Sequence, residues 1–339
     1  MSKITSLILL SIGLCLNLSC QNKSESPMKK YAWIPTECAP KDYPMRVYSG
    51  YLYYGKEGNT YVPGDKTINY GWGALGSIEI SGDKLKEAPD TLDLTWISFT
   101  ENKNYTGKFP LNVKLIDSLF SAGYPAGDIP AGHEDFCYFQ VGMAPGGVVV
   151  LWLSGPGKQV EIGRYQGKET NEVDWKSEIP GYKGTMKEYG QDIIAGLPKE
   201  VQQQIAQHKI PFGKWDHWRR RFSWKPVITG EVNILRLTMF TFNKEMDFLV
   251  GKRLNPVDYI QRGAIEKLYI FWVDHQKREM RSQVDFDETE TDQIFSALQP
   301  GENSDLLLHV TNDGEVTVNL KTAAGVIPFK KAKVNTYLR

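Results

Sequence analysis

The sequence has no excess of charge of either sign. Among its 339 residues, Lys and Arg together number 40, and Asp and Glu together also number 40. A general nucleic-acid binder needs surplus positive charge to neutralise phosphate groups. The balanced composition therefore argues against nucleic acid as a partner.

Cysteine and histidine are also scarce, with four and five residues, and the histidines are scattered along the chain. His133-Glu134 has no second histidine four residues on, which a helical zinc site requires. The acidic residues from Asp285 to Asp292 have no glycine where a calcium loop bends, so we expect them to begin a helix. Residues 71–76 match the letters of a dinucleotide-binding loop, but a strand pattern follows instead of a helix. We therefore predict no metal and no cofactor.

Long apolar runs are lacking except at the N-terminus, from Ile4 to Leu18. A bilayer-spanning helix needs about 20 apolar residues, whereas this run has about 15 and contains Asn17. With Lys3 before it, the run is typical of a secretory signal peptide, which we predict at residues 1–19.

Ser19-Cys20 at the end of this run resembles the bacterial lipobox, in which the signal is cut and the new N-terminal cysteine is acylated. Cys15 fits less well because the large Leu14 precedes it. Each buried methylene of an acyl chain contributes about 0.8 kcal/mol, so several chains would hold the protein on a membrane. We predict lipid attachment at Cys20; a soluble secreted protein is the alternative.

The residues after Cys20 predict the membrane to which the protein is sorted and the point where the folded part begins. Gln21 stands where an inner-membrane retention signal has Asp, so resemblance to lipoprotein sorting predicts the outer membrane, on its periplasmic face or at the cell surface. Residues 20–30 are polar and read as a flexible tether. Beyond the tether, Cys38 and Cys137 are the remaining cysteines, and an oxidising envelope permits a disulfide between them. A buried free thiol is the alternative for Cys137.

The order of predicted elements occurs twice after the tether. In residues 31–170, alternating strands and a hairpin precede a helix that begins near Asn112, and a second hairpin turns at 144–147. In residues 225–339, strands precede a helix at 291–298, and another hairpin turns at 312–314. We predict a β-rich α+β protein with two similar tandem domains, each an antiparallel sheet with one covering helix. Residues 171–224, rich in helix formers, would form a helical bridge between them.

Several short motifs of the first domain resemble a bacterial lipoprotein family labelled domain of unknown function 2931. They are Trp33-Ile34-Pro35, Gly71-Trp72-Gly73, Gly142-Met143-Ala144-Pro145-Gly146-Gly147 and Val150-Leu151-Trp152-Leu153-Ser154-Gly155-Pro156. The resemblance covers about residues 33–224. It implies an envelope lipoprotein and carries no activity and no catalytic residues.

The most distinctive composition lies at the end of the bridge. This stretch combines indole rings, a histidine and three guanidinium groups, in Trp215, His217, Trp218, Arg219, Arg220, Arg221 and Trp224. These residue types are enriched at binding hot spots, so the stretch is our candidate binding site for an acidic surface, a lipid head group, a phosphate or a sugar. Alternatively, it packs the two domains together, with indoles inward and arginines outward.

No catalytic motif accompanies these features. We therefore expect a non-enzymatic binding module with a protein partner, for example an inhibitor or immunity protein that neutralises an envelope-acting toxin. One alternative is an envelope hydrolase of glycan or lipid, in which Glu134 and Asp135 transfer protons. Another is a structural subunit of an envelope assembly.

Overall fold

The computed structural model describes residues 29–126 and 132–339. It contains 45% strand and 16% helix, so the predicted β-rich α+β class is confirmed. Cys20 and the signal and tether segments lie outside the described residues, apart from the last two residues of the tether. No helix in the described ranges is both long and apolar enough to span a membrane.

The first half of the fold runs to residue 170 and contains eleven strands in the part described. They are β1 (Ile34–Cys38), β2 (Met45–Tyr54), β3 (Gly58–Tyr61), β4 (Pro89–Ser98), β5 (Lys103–Pro110), β6 (Tyr124–Pro125), β7 (His133–Glu134), β8 (Tyr138–Ala144), β9 (Val148–Gly155), β10 (Lys158–Gln166) and β11 (Lys168–Glu169). Five of these strands form one sheet in the order β11-β5-β4-β2-β3. Alternate residues of β2, such as Leu52 and Tyr54, are buried, as the sequence pattern predicted.

Helix α1 (Val113–Ala122) covers the first half. The Asn112 side chain accepts a hydrogen bond from the Leu115 amide at 3.2 Å and caps the helix, so the predicted helix start near Asn112 is confirmed. Ile116 and Phe120 are buried, whereas Leu115 is 38% exposed.

The bridge region, residues 171–221, contains four helices: α2 (Trp175–Glu178), α3 (Met186–Ala195), α4 (Lys199–Ala206) and α5 (Lys214–His217). Thr185 and Glu188 form a capping box at the start of α3. Pro198 precedes α4, where its fixed φ suits a helix start. The two longer helices, α3 and α4, are separated by the short connection from Gly196 to Pro198.

The second half begins at Phe222, inside the range that the sequence assigned to the bridge. Its elements are β12 (Phe222–Gly230), β13 (Asn233–Thr241), β14 (Met246–Val250), a 3₁₀ turn (Gly251–Leu254), β15 (Ile260–Arg262), β16 (Ile265–Val273), β17 (Glu279–Asp285), α6 (Glu288–Ser296), β18 (Asn303–Val310), β19 (Val316–Thr322), β20 (Gly325–Pro328) and β21 (Lys333–Leu338). The Asp287 side chain accepts from the Glu290 amide at 2.9 Å. The acidic run thus begins a helix, as expected.

Strands from both halves join in one nine-stranded sheet, ordered β1-β8-β9-β10-β14-β13-β16-β17-β21. A third large sheet has the order β15-β12-β18-β19-β20. The two parallel strand pairs, β1 with β8 and β12 with β18, each bring a strand from the start of a half beside one that follows its helix. Apolar side chains form two separate cores, one in each half.

The two cysteines of the folded part are free thiols. The register of β1 and β8 places Cys38 opposite Gly142, five residues beyond Cys137. Five strand residues span about 16 Å, whereas a disulfide needs Cα atoms within about 7 Å. The disulfide that the sequence left open is therefore absent from this fold.

Candidate binding sites at the junction and the bridge

The Trp/Arg segment, residues 215–224, crosses from one core to the other. Trp215 lies in the first core, where its ring meets Tyr43 edge-on at 5.5 Å and Trp72 at 6.3 Å between centroids. Trp224 is fully buried in the second core, and its Nε1 donates to the Gly263 carbonyl at 3.0 Å. The backbone between them therefore links the two halves at what we call the junction.

Trp218 lies between these anchors and is only partly buried. Its ring stacks on Phe242 with centroids 5.9 Å apart, and its Nε1 donates to Glu288 at 3.0 Å. The Lys214 ammonium lies 4.7 Å from the ring centroid, within cation–π range. The indole N–H group and the aromatic ring of Trp218 therefore both have partners within the chain.

Arg219 reaches into the first half. Its Nε lies 2.6 Å from an oxygen of Glu161, a carboxylate that is 5% exposed. Burial raises the pKa of Glu161, and the Arg219 charge opposes that rise. Asn243, from the second half, donates to the other oxygen of Glu161 at 3.2 Å. This carboxylate thus holds groups from the segment and from the second half together.

Arg220, Arg221 and His217 pair instead with carboxylates of the second half. Arg221 donates two hydrogen bonds to Glu245, at 2.7 and 2.8 Å. Arg220 pairs with Asp292, whose carboxylate also lies 2.6 Å from His217 Nε2. The structure therefore places the predicted binding residues at one junction, where the charged groups of His217, Arg219, Arg220 and Arg221 pair with carboxylates of the same chain. These contacts favour the packing interpretation of the segment over the ligand-binding one.

The turn between β13 and β14 docks on the first half at the same junction. Trp152 donates from Nε1 to the Asn243 carbonyl at 2.9 Å, and its ring meets Trp72 edge-on at 5.0 Å. Gln159 donates from Nε2 to the carbonyls of Gly73 and Lys244, at 3.1 and 2.7 Å. Trp72, Gly73 and Trp152 belong to the motifs singled out in the sequence. Gly73 and Trp152 therefore contact this turn directly, and Trp72 packs against Trp152.

A separate cleft of about 550 Å³ opens between the bridge helices and the turn after β4. We call it the bridge cleft. Its apolar wall consists of Phe99, Ile194, Ile205, Ile210 and Phe212. Phe212 is 58% exposed, so its ring is open to a partner at this cleft.

Polar side chains surround this apolar wall. They include Asn102, Lys187, Gln191, Gln202 and His208. Glu101, which also lines the cleft, is held by hydrogen bonds from Tyr105 Oη at 2.8 Å and from the Gly146 amide at 3.1 Å. An apolar centre with a polar rim is the anatomy of a protein-binding patch.

Sequence reasoning missed the bridge cleft. The sequence contains the apolar residues Ile194, Ile205 and Ile210 of the bridge, but nothing in their spacing distinguishes them from other apolar residues there, such as Ile193 and Val201. Their partner Phe99 lies almost a hundred residues earlier, at the end of a strand, and no local pattern links the two regions.

The carboxylates proposed for hydrolysis do not form a site with the described residues. Glu134 pairs in a two-residue strand with Tyr124, and the Asp135 side chain is 79% exposed. Neither lines the bridge cleft or the cavities beside the junction. The described residues also contain no group of three or more His, Cys, Asp or Glu placed to hold a metal ion.

Comparison with known proteins gives one match. The sequence profile of a family described as "Protein of unknown function (DUF2931)" matches residues 20–213. This chain belongs to that family. No curated protein and no solved structure matches it.

The DUF2931 match includes one of the two candidate sites and excludes the other. All side chains that line the bridge cleft, from Phe99 to Phe212, lie inside the matched range. The Trp/Arg segment begins at Trp215, just beyond the end of the match. The bridge cleft is therefore built wholly from the DUF2931 part of the chain, whereas the junction also needs the second half.

Proposed function

We propose that this DUF2931 protein is a non-enzymatic binding lipoprotein of the bacterial envelope, anchored through acylated Cys20. The observation that carries the binding role is the bridge cleft, a preformed apolar surface with a polar rim inside the family match. Anchoring rests on the apolar run, on Ser19-Cys20 and on Gln21, which together predict the outer membrane.

The proposed occupant of the bridge cleft is a protein that inserts an apolar side chain. Phe212 has an exposed aromatic ring that a bound protein would bury. Interface hot spots lie in well-packed, desolvated pockets, which such a contact would form. A toxin acting in the envelope is the partner class we favour, which makes this protein an inhibitor or immunity protein.

We also propose that the two halves arose by tandem duplication. The sheet order β11-β5-β4-β2-β3 in the first half has the same connectivity as β21-β17-β16-β13-β14 in the second. Likewise, β1-β8-β9-β10 corresponds to β12-β18-β19-β20, with the first pair parallel in each case. Helices α1 and α6 precede the equivalent strands β8 and β18. Chance resemblance between two α+β units does not readily reproduce so long an order.

Photo-crosslinking in living cells tests the binding role. A benzophenone amino acid replaces Gln191 on the rim of the cleft, and in a control chain it replaces the exposed Thr317 of β19. We expect one envelope protein to be crosslinked from position 191 and not from 317. That protein is then purified and its affinity for the wild-type chain is measured directly.

Two matched variants decide whether the cleft carries the affinity. Ile205→Glu places a charge in the cleft wall and should weaken binding by about tenfold or more. Val257→Glu makes the same type of change at a residue that is 84% exposed and does not line the cleft, and should leave affinity unchanged. Equal crosslinking from both positions, or wild-type affinity in Ile205→Glu, contradicts the proposal.

A further inference from the structure

A second cavity, of about 210 Å³, lies where the two halves share their sheet. Residues of β10, β14 and β15 line it, together with Arg221 and Glu245. It lies outside the bridge cleft and shares no lining residue with it. An inference about this cavity therefore does not depend on the proposed function.

Arg262 is the unusual residue of this cavity. Its side chain is 8% exposed, yet Nε and Nη1 have no hydrogen-bond acceptor among the described residues. The nearest carboxylate oxygen belongs to Asp247 and lies 3.5 Å from Nη1, beyond good hydrogen-bond length. The guanidinium lies 4.9 Å from the Trp224 ring centroid, which compensates part of the lost hydration.

The carboxylates near Arg262 are already engaged by other cations. Glu245 accepts two hydrogen bonds from Arg221, and Asp247 pairs with Lys158. The lining thus carries three cationic and two anionic side chains. Burial lowers the pKa of Arg262, as expected for a cation that the protein satisfies incompletely.

We propose that the Arg262 cavity binds a small ligand through an oxyanion group, a carboxylate or a phosphate. A guanidinium presents donors in a planar fork that matches either group. Val160, Met239, Met246 and Ile260 line the remaining wall, so the ligand also carries a short apolar body. The ligand would neutralise the excess positive charge and supply the acceptors that Arg262 lacks.

Asp247 provides a test that a purely structural arginine would not pass. If the cavity binds an anion, Asp247 competes with it for Arg262 and repels it. Asp247→Asn should therefore tighten anion binding. If Arg262 serves only to pack on Trp224, the same change creates no affinity for anions.

Isothermal titration with inorganic phosphate and with hexanoate measures this directly on the purified protein. We expect the wild type to bind at least one of them by about 10 mM, a concentration that fills even a site of millimolar Kd. Arg262→Gln should weaken binding by about tenfold or more, because hydrogen bonds to charged groups are the strong ones. Arg278→Gln, at a side chain that is 54% exposed and does not line the cavity, is the control and should bind as the wild type does.

The pattern of binding also identifies the ligand class. Phosphate alone supports a phosphorylated ligand, hexanoate alone supports a carboxylate, and tighter binding in Asp247→Asn supports either. Should Arg262→Gln fail to fold, Asp247→Asn still decides. A folded wild type and a folded Asp247→Asn variant that bind neither probe would overturn the proposal.

Discussion

Glu161 shows how a single residue can join two halves of a chain. Its carboxylate is almost fully buried at the junction, where an isolated charge would be costly. Arg219 from the bridge region and Asn243 from the second half supply the hydrogen bonds that its oxygens need. Glu161 belongs to the first half. Its hydrogen bonds from Arg219 and Asn243 therefore also hold the bridge region and the second half in position.

Replacing Arg219 with Ala should therefore destabilise the whole protein. The change leaves Glu161 buried without its ion-pair partner, and breaking such a pair costs about 3 kcal/mol near neutral pH. Urea unfolding measured by far-UV circular dichroism checks the value. A loss below about 0.5 kcal/mol, which is typical of an exposed ion pair, would contradict the role assigned to Glu161.

The pH dependence of this loss follows from the same contact. The pKa of Glu161 is already raised by burial, so its folded-state contribution to stability falls as pH rises above the ordinary carboxyl value. Without Arg219 the pKa of Glu161 rises further, and the variant's deficit should shrink as pH falls below neutral because Glu161 takes up a proton. In the double variant Arg219→Ala with Glu161→Gln, this pH dependence should disappear.

The cysteines illustrate what a residue list leaves out. The N-terminal signal and Ser19-Cys20 predicted an envelope protein, in which Cys38 and Cys137 could form a disulfide. The parallel register of β1 and β8 keeps them apart, and burial raises the pKa of Cys38 to about 12. Register is a property of two strands a hundred residues apart, so neither cysteine's neighbours in sequence could reveal it.

At the scale of elements, the turn from Thr241 to Met246 is the main contact of the second half with the first. Gly73 approaches it so closely that a Cβ on Gly73 would lie 2.3 Å from the Cβ of Lys244. Gly73 also has a φ of +67°, a conformation that other residues adopt at a cost. Both constraints explain why a glycine occupies this position.

Gly73→Ala should therefore cost more than conformational strain alone. We expect a loss of about 3 kcal/mol, because strain and overpacking act together. Gly251→Ala is the matched control, since its φ is +53° but no atom lies within 4 Å of the added Cβ. That control should lose about 1 kcal/mol in the same urea titration. Equal losses in the two variants would show that the turn yields easily and does not hold the halves.

Elements were largely predictable from the sequence, and their assembly was not. Alternating residues identified β2 and β4, and glycines 146 and 147, both with positive φ, mark the turn between β8 and β9. No pattern indicated that β10 would lie beside β14 in one sheet. That pairing depends on side chains of the first half, such as Gln159 and Trp152, donating hydrogen bonds to the turn between β13 and β14 of the second half.

For the whole molecule, the family match ends at residue 213, whereas the nine-stranded sheet continues into the second half. The DUF2931 profile ends at residue 213, yet Trp152 and Gly73 inside it are covered by the turn of the second half. In this chain, the second half therefore completes the surface of the matched part. The bridge cleft lies apart from that contact and is lined by matched residues only.

Lipid attachment would act on the whole molecule by confining both halves to a membrane surface. We expect Cys20→Ser to abolish labelling by radioactive palmitate and to leave the signal peptide uncut, because acylation and cleavage require that thiol. Cys15→Ser is the matched control in the same apolar run, and it should keep both the label and the membrane fraction. Acyl chains contribute about 0.8 kcal/mol per buried methylene, so the labelled protein should resist extraction by high salt and yield to detergent. If Cys20→Ser retains the label, or if only Cys15→Ser loses it, Cys20 is not the lipid attachment site. The proposed binding role would then lose the membrane attachment at Cys20 on which it depends.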